Sequence, residues 1–208
     1  MQIGGFVKQS LIDYPGKIAA IVFTQGCNFR CGYCHNPGLV LPELFHQNQA
    51  ISVNEVLCYL QERKNWLDGV VVTGGEPTIH KDLPEFLKKI KNLGYLVKLD
   101  TNGSNPSMLE HIIKESLADY IAMDIKTTLN ATNYSQITGI SESDGITEKV
   151  IASIDMLKNS NIETEFRTTK LPGIHTSGIL SFILDYLGKN SRYTVTDFRD
   201  GEILSSYN

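Results

Sequence analysis

The sequence predicts an α/β fold built on a parallel β-sheet. Strand-like and helix-like segments alternate along most of its 208 residues, and six such steps favour parallel strands joined by right-handed crossovers. Polar residues also cluster directly after the strands, where the ligand sites of parallel β/α folds lie. Two closures of the sheet fit this pattern: an open doubly wound sheet, or a curved, incomplete relative of the β/α barrel, which normally needs about 250 residues.

Six segments are predicted as strands because they are short, apolar and rich in β-branched residues. The clearest is the first, with the sequence KIAAIVFT. The predicted strands are Lys17–Thr24, Gly69–Thr73, Tyr95–Asp100, Tyr120–Ile125, Ile162–Thr168 and Tyr193–Phe198.

The predicted helices lie between these strands and carry end signals. Ser52 and Glu55 form an S-x-x-E capping box, and Asp82 is expected to cap the second helix. The helices are predicted at Ser52–Lys64, Asp82–Leu93, Pro106–Ser116, Thr147–Asn159 and Ser177–Leu187. The weakly patterned stretches Leu39–Ile51 and Leu129–Ile146 are predicted as loops with at most a helical turn.

Composition and charge argue against several classes of protein. With 41% apolar and 20% charged residues, the chain is typical of a globular protein rather than a disordered one or a coiled coil. A formal net charge of −4 argues against a dedicated nucleic-acid binder. No apolar run approaches the roughly 20 residues of a membrane span, and the first residues lack the pattern of a signal peptide. We therefore expect a cytoplasmic protein with reduced thiols and with neither a nucleic-acid nor a membrane partner.

Three of the four cysteines lie within eight residues, directly after the first predicted strand. Cys27, Cys31 and Cys34 form a C-x3-C-x2-C run, and thiols on one short loop can converge on a metal centre at little entropic cost. A cluster with three cysteines leaves one iron open to a non-protein ligand, whereas structural zinc takes four protein ligands. A zinc site completed by His35 and inert packing of the thiols are the alternatives. Cys58 lies on the apolar side of a predicted helix and is expected to be buried.

Further strand ends carry polar motifs. In Thr73–Pro77 (TGGEP), glycines allow backbone carbonyls to approach a ligand closely, and the glutamate can accept a hydrogen bond from an ammonium group. Asp100–Gly103 (DTNG) and Asp124–Lys126 (DIK) follow the next two strands, and Arg167 lies in the fifth. Taken separately, these are also typical of a glycine-rich turn, an Asn-Gly turn, a strand-end ion pair and a surface salt bridge.

The segment Cys27–Asn36 (CNFRCGYCHN) resembles the signature of the radical S-adenosylmethionine (radical SAM) enzymes that activate glycyl radical enzymes. The wider stretch Gly5–Val40 is similar to the activating proteins of anaerobic ribonucleoside-triphosphate reductases and of pyruvate formate-lyases. The resemblance runs from Gly5 to about Arg199, nearly the whole chain. It implies the radical SAM fold, a partial (β/α)6 TIM-like barrel, in a single domain spanning residues 1–208.

The resemblance also implies the chemistry. Cys27, Cys31 and Cys34 would hold a [4Fe–4S] cluster, and the amino and carboxylate groups of SAM would chelate the fourth iron. One electron from the reduced cluster would cleave SAM into methionine and a 5′-deoxyadenosyl radical, which abstracts a hydrogen atom from a glycine Cα of a partner enzyme. The implied partners are an anaerobic ribonucleotide reductase and a flavodoxin- or ferredoxin-type electron donor.

The remaining strand-end residues receive implied roles from the same resemblance. SAM contacts are expected from Tyr33, Asn36, Thr73, Gly74, Gly75, Glu76, Asn102, Lys126 and Arg167. A monovalent cation beside the SAM carboxylate is expected on oxygens of Asp100, Thr101, Asp124 and the Ala122 carbonyl, which are the hard donors that such a cation requires.

One segment departs from the family pattern. Pyruvate formate-lyase activators carry D-G-P-G where this chain has Asp13–Gly16 (DYPG), and this segment is expected to face the glycine loop of the partner. Two alternatives to the activase stay open. One is a small-molecule radical SAM enzyme resembling 7-carboxy-7-deazaguanine synthase. The other is a zinc or iron–sulfur binding module without catalysis, which would not cleave SAM.

Overall fold

The computed structural model describes residues 1–48 and 50–207 and contains a seven-stranded sheet in the order β1-β2-β3-β4-β5-β6-β7. The strands are β1 Ile3–Ser10, β2 Ala19–Thr24, β3 Gly69–Gly74, β4 Leu96–Thr101, β5 Tyr120–Asp124, β6 Glu163–Lys170 and β7 Arg192–Asp197. Strands β2 to β7 are parallel, and β1 is antiparallel to β2. The strands follow one another in the sheet in the same order as in the chain. A doubly wound sheet would show a reversal of this order, so the fold is the partial barrel.

Five of the seven α-helices in the described residues match the predicted positions to within a few residues. The seven are α1 Pro37–Val40, α2 Val53–Glu62, α3 Leu83–Asn92, α4 Pro106–Lys114, α5 Ala131–Thr138, α6 Ile146–Lys158 and α7 Ser177–Leu187. The capping box of α2 is present: the Glu55 amide donates to Ser52 Oγ (3.1 Å), and the Ser52 amide donates to the Glu55 carboxylate (2.8 Å). The Asp82 side chain does not cap α3, because its carboxylate pairs with the amino terminus of Met1 instead.

Strand β1 and helices α1 and α5 were not predicted from the sequence. Strand β1 lies at the edge of the sheet beside β2, and its exposed residues Val7–Gln9 leave it without the apolar run of a buried strand. Helix α5 lies in a stretch predicted as a loop, and its sequence ATNYSQIT is mostly polar. It is fixed by tertiary packing of Tyr134 and Thr138, which are both buried, and by Asn130, whose side chain caps its first turn.

Alternating side chains give the sheet two different faces. Val70 and Val72 of β3 point into the main hydrophobic core, which the helices cover. Val71 points to the opposite, concave face, where it packs in a smaller cluster that includes Tyr14 and Tyr120. This concave face is the lumen of the partial barrel.

The segment Asp13–Gly16 lies at the lower end of this lumen. Since Ser10 of β1 pairs with Ala19 of β2, the connection between the two strands lies at the amino end of the parallel strands, opposite to the end that carries Cys27. Tyr14 is only 5% exposed and packs against the ring of Tyr120, with 5.8 Å between the ring centroids. The tyrosine of DYPG therefore fills the lumen floor and is not presented on the surface.

The prediction that Cys58 is buried is wrong. Helix α2 buries Val56 and Leu60, which lie one turn apart. Cys58 lies midway between them in sequence and therefore on the opposite side of the helix, where it is exposed.

Among the helices that the structure describes, none is long and apolar enough to cross a membrane.

Replacing Ile112 by alanine should test the packing of the main core. Ile112 of α4 is fully buried, so Ile112→Ala should lower the free energy of unfolding by about 2–5 kcal/mol, through lost transfer energy and the remaining cavity. The same change at Ile12, which is 89% exposed, should alter it by less than about 0.5 kcal/mol. Denaturant unfolding of both variants in the same metal-loading state measures the difference. Equal effects would contradict this packing.

Candidate active site

A cavity of about 250 Å³ lies at the carboxyl ends of the parallel strands. It brings together every predicted site residue except Ala122, which lies inside the sheet between Asp100 of β4 and Glu165 of β6. The lining residues are Cys27, Phe29, Cys31, Tyr33, Cys34, His35, Asn36, Val40, Thr73, Gly74, Gly75, Glu76, Asp100, Thr101, Asn102, Asp124, Lys126, Arg167 and Thr169.

The cysteine loop follows β2 and is folded by its own backbone. The Phe29 amide donates to Cys27 Sγ (3.3 Å), and the Cys34 amide donates to the Cys31 carbonyl (3.0 Å). The Arg30 guanidinium donates to the Cys27 carbonyl at 2.6 Å. These contacts curl the loop so that all three thiols line the same cavity.

The two inner thiols have perturbed acidities. Burial raises the pKa of Cys27 to about 12, and the nearby Glu76 charge acts in the same direction. Burial also raises the pKa of Cys31, although the Lys126 charge opposes the shift. Both thiols are therefore protonated at neutral pH, and a metal centre that binds them must displace the protons.

Two distant segments hold the cysteine loop from outside. Near the C-terminus, the amides of Leu204 and Ser205 donate to the carbonyls of Cys34 and Gly32, both at 2.9 Å. At the end of α5, the Thr138 carbonyl accepts from the amide in the middle of the loop at 2.7 Å. The sequence carries no motif for either contact, because each depends on the chain returning to the loop after more than 100 residues.

The position of the His35 ring does not fit a fourth ligand of a mononuclear zinc site. Its ring stacks on Phe198, with 5.0 Å between the ring centroids and 20° between the planes. Among the residues that the structure describes, no three His, Cys, Asp or Glu side chains are grouped closely enough to hold a single metal ion. A [4Fe–4S] cluster does not require that grouping, because each cysteine binds a different iron.

The glycines of the TGGEP turn allow β2 and β3 to approach each other closely. Gly74 has a φ of +117°, and a Cβ there would lie 2.3 Å from the Thr24 nitrogen. A Cβ on Gly75 would lie 2.0 Å from the Gly26 carbonyl oxygen. The Gly75 amide donates to the Thr24 carbonyl at 2.9 Å, which joins the two strand ends. Only glycine fits at either position.

Glu76 is a buried carboxylate that joins β3 to β4. It is 1% exposed and accepts hydrogen bonds from the Thr78 amide (3.1 Å) and hydroxyl, the Thr101 hydroxyl (2.8 Å) and the Asn102 amide (2.7 Å). Burial raises the pKa of Glu76, and these hydrogen bonds oppose the shift. The carboxylate thus fixes the two turns that line the cavity.

Asn102 extends this connection to the cysteine loop. Its side-chain Nδ2 donates to the side-chain Oδ1 of Asn28 at 3.0 Å, and its own Oδ1 accepts from the Ser104 backbone amide at 2.9 Å. Asn28 in turn donates to the Ser104 hydroxyl at 2.8 Å. The side-chain amide of Asn102 in the DTNG motif is therefore engaged in hydrogen bonds to neighbouring loops.

Charged side chains from β4, β5 and β6 form a network on another wall. Asp124 pairs with the Arg167 guanidinium at 2.9 Å and with the Lys126 ammonium at 2.8 Å. Asp100 pairs with Arg167 at 3.5 Å and, on its other oxygen, with Lys98. The three cationic and two anionic groups of this network sum to one positive charge, which the Glu76 carboxylate on the same cavity balances. Lys98 was not predicted as a site residue, although its i, i+2 spacing from Asp100 places both on one face of β4.

The acidities in this network follow from the pairing. Burial alone would raise the pKa of Asp124, but the Arg167 and Lys126 charges hold it well below its usual range. Burial would lower the pKa of Lys126, but the Asp124 charge raises it well above its usual value. Both partners are therefore charged at neutral pH.

Tyr33 supplies an unpaired buried hydroxyl. The oxygen is buried, and within the described part of the chain it has no hydrogen-bond partner of normal geometry. Burial raises the pKa of Tyr33, so its hydroxyl is protonated and can donate a hydrogen bond. Such a group is normally paired in a native protein, which indicates that a bound molecule accepts from it.

These features fit an iron–sulfur cluster with SAM. Three soft thiol ligands lie on one wall, a glycine-rich backbone turn lies on another, and the Lys126 and Arg167 cations are available to a carboxylate. The unpaired Tyr33 hydroxyl adds a donor to the same cavity.

Comparison with known proteins agrees with this geometry. The model of the Radical SAM superfamily matches residues 21–183, and the chain therefore belongs to that superfamily, whose members use a [4Fe–4S] cluster and SAM. A protein of Methanocaldococcus jannaschii named "Putative glycyl-radical enzyme activating enzyme MJ1227" is 37% identical over 175 residues, which cover 83% of this chain and 69% of that protein. This relative supports the activating family within the superfamily.

Other relatives are longer. A "Probable GTP 3',8-cyclase" of Saccharolobus solfataricus is 33% identical over 144 residues, which cover 68% of this chain and 45% of the cyclase. The chain thus spans less than half the length of that relative. SuiB of Streptococcus suis, solved with bound S-adenosylmethionine, matches 87% of this chain and 40% of SuiB, with a TM-score of 0.64 and 18% identity. At that identity the match shows the fold alone, and it confirms the radical SAM partial barrel.

Replacing Glu76 by glutamine should test its role between the turns. Glu76→Gln places an NH₂ group against donors that the carboxylate now accepts from, so the free energy of unfolding should fall by about 1–3 kcal/mol. Glu110→Gln is the matched control, because Glu110 forms only an exposed i, i+4 pair with Lys114, and it should change little. Denaturant unfolding provides the measurement, and an unchanged Glu76→Gln variant would count against the role.

Proposed function

We propose that this protein is a radical SAM activase that generates a glycyl radical on a partner enzyme, most suitably an anaerobic ribonucleoside-triphosphate reductase. The observation that carries the proposal is the convergence of the cysteine loop, the TGGEP turn and the charged strand ends on one cavity. The name of the M. jannaschii relative supports the activating branch. The proposal treats residues 1–208 as one radical SAM domain.

In this proposal Cys27, Cys31 and Cys34 bind the [4Fe–4S] cluster. When bound and reduced, the cluster supplies one electron to SAM, which yields methionine and a 5′-deoxyadenosyl radical that takes a hydrogen atom from a glycine of the partner. The curled loop presents the three thiols to one cavity, and the C-terminal residues Leu204 and Ser205 hold that loop in place.

The other lining residues position SAM. Thr73, Gly74 and Gly75 line the cavity and present backbone to its amino group, and the two glycines let this turn pack closely against the end of β2. The Lys126 and Arg167 cations, which line the cavity, attract the SAM carboxylate. In this arrangement Glu76 and Asn102 act by positioning the loops, since protein donors and acceptors engage their side chains.

The adenosine part of SAM is assigned to the wall next to the cysteines. The Tyr33 hydroxyl is the unpaired donor there, and Asn36 lines the same cavity with an exposed side chain. A tyrosine ring also offers an apolar face for a base. Both residues belong to the loop that carries the cluster ligands, so the loop couples cofactor binding to cluster binding.

The partner's glycine loop is proposed to enter from the side. Strands β1 and β7 stand at opposite ends of the sheet order, so the lumen is not closed by a pairing between them. Strand β7 is largely exposed, with Val195 at 40%. A lateral opening suits a polypeptide substrate, whereas a closed barrel suits a small molecule.

Electrons are proposed to come from a flavodoxin- or ferredoxin-type protein in the cytoplasm. The donor needs a low reduction potential because it must reduce the cluster, and the reduction potentials of iron–sulfur clusters reach about −700 mV. The outer side of the cysteine loop is exposed at Arg30, His35 and Asn36, which gives such a donor a short path to the cluster.

Replacement of any one cluster cysteine should abolish the reaction. Cys27→Ala, Cys31→Ala and Cys34→Ala should each lose the cluster absorption and the formation of 5′-deoxyadenosine after anaerobic reconstitution and dithionite reduction. Cys58→Ala is the matched control, because Cys58 is exposed on α2 and does not line the cavity, and it should match the parent. Cleavage of SAM by any of the three loop variants would refute the assignment.

A partner assay tests the activase itself. The loaded protein is incubated anaerobically with SAM, dithionite and an anaerobic ribonucleotide reductase, and the radical is detected by electron paramagnetic resonance. We expect a glycyl radical on the reductase, and cleavage of its backbone at that glycine when oxygen is admitted. The Cys31→Ala variant should give neither signal. If 5′-deoxyadenosine forms but no glycyl radical partner emerges, a small-molecule substrate is the better assignment.

A further inference from the structure

The predicted site for a monovalent cation is already filled by side chains of the protein. Both oxygens of Asp124 are engaged, one by Arg167 and the other by Lys126. Both oxygens of Asp100 are engaged as well, one by Lys98 and the other by Arg167. Among the described residues, the two carboxylates have no oxygen left without a cationic partner.

The other two expected oxygen ligands are also committed. The Thr101 hydroxyl donates to Glu76 at 2.8 Å and accepts from the Gly103 amide at 3.1 Å. Ala122 does not line the cavity and is paired inside the sheet on both sides. The residues therefore do not fit a metal cation at this position.

Lys98 is the group that takes the position beside Asp100. It is 3% exposed, which is rare for a lysine without a tightly held partner. It lies two residues before Asp100 on β4, so both side chains stand on the same face of the sheet. The buried acid Glu165 accepts from the hydroxyls of Tyr120 (3.1 Å) and Thr194 (2.6 Å) and pairs with Arg192 at 3.6 Å, whereas Lys98 pairs with Asp100.

We propose that the Lys98 ammonium, which does not itself line the cavity, takes over the charge of the monovalent metal cation in this chain by pairing with Asp100 of the SAM site. An ammonium carries the same single charge and donates three hydrogen bonds, and its tether keeps it at the site without any cation from solution. Binding of SAM is then independent of Na⁺ and K⁺. The inference rests on the SAM site assigned under the proposed function and does not depend on the identity of the partner.

The first test uses the unaltered, cluster-loaded protein. Its Kd for SAM is measured by anaerobic equilibrium dialysis in sodium, potassium and tetramethylammonium salts at one ionic strength. We expect values that agree within about twofold, far less than the tenfold change that 1.4 kcal/mol would cause. Loss of affinity in tetramethylammonium alone would overturn this inference and leave the proposed function intact. Absence of SAM binding in all three salts would overturn both.

The second test replaces Lys98 by methionine, which keeps most of the length of the side chain and removes its charge. Lys98→Met should weaken SAM binding at least about tenfold in tetramethylammonium, or 1.4 kcal/mol. Sodium or potassium should restore part of the loss, because the removal of Lys98 frees one oxygen of Asp100 for a metal cation. Equal weakening in all three salts would show a structural role and overturn the inference.

Lys91→Met is the matched control for the loss of an ion pair. Lys91 pairs with Asp119 at 2.6 Å, outside the cavity, and its replacement should leave SAM binding unchanged in every salt. A salt-dependent Kd for Lys91→Met would count against a specific role of Lys98. The series with the unaltered protein decides the inference even where Lys98→Met fails to fold.

Discussion

The buried carboxylate of Glu76 is the interaction on which the rest of the site depends. It accepts hydrogen bonds from the turn after β3 and from the turn after β4, so it fixes the relative position of two loops that lie 25 residues apart in sequence. Asn102 is in turn hydrogen-bonded to Asn28, which connects these turns to the cysteine loop. A buried charge is tolerated only when it is fully hydrogen-bonded, and that requirement makes the arrangement specific. The side chain therefore contributes to the site by fixing its walls.

Charge balance is the second constraint on the cavity. Two aspartates pair with three cationic groups, and the Glu76 carboxylate lines the same cavity, so these charges balance. Such a network is costly to bury unless each group has a partner, and here each aspartate oxygen has one. Lys98 is buried and does not line the cavity, whereas Arg167 and Lys126 do, so Lys98 can neutralise Asp100 while the other two remain available to a ligand.

The architecture gives the two ends of the barrel different tasks. At the amino ends of the strands, Tyr14 and Tyr120 close the lumen with apolar packing. At the carboxyl ends, short loops carry the polar groups, and the C-terminal segment packs on the cysteine loop through Leu204. Stability and chemistry are thereby separated along the strands, as is usual for parallel β/α folds. Strands β1 and β7 stand at opposite ends of the sheet order and do not pair with each other, so the barrel is not closed between them.

The sequence by itself determined the parallel strands from β2 to β7, most helices and the motif residues at the strand ends. These features are encoded locally, in hydrophobic periodicity, helix caps and short motifs, and the family resemblance rests on the same local segments. The sequence could not reveal β1 or α5, because their patterns are weak and packing against other elements stabilises them. Nor could it show that Cys58 is exposed or that Asp82 pairs with the amino terminus. Only the tertiary structure decided that Glu76 joins two turns and that Lys98 pairs with Asp100, since a charged side chain chooses its partner by position in space.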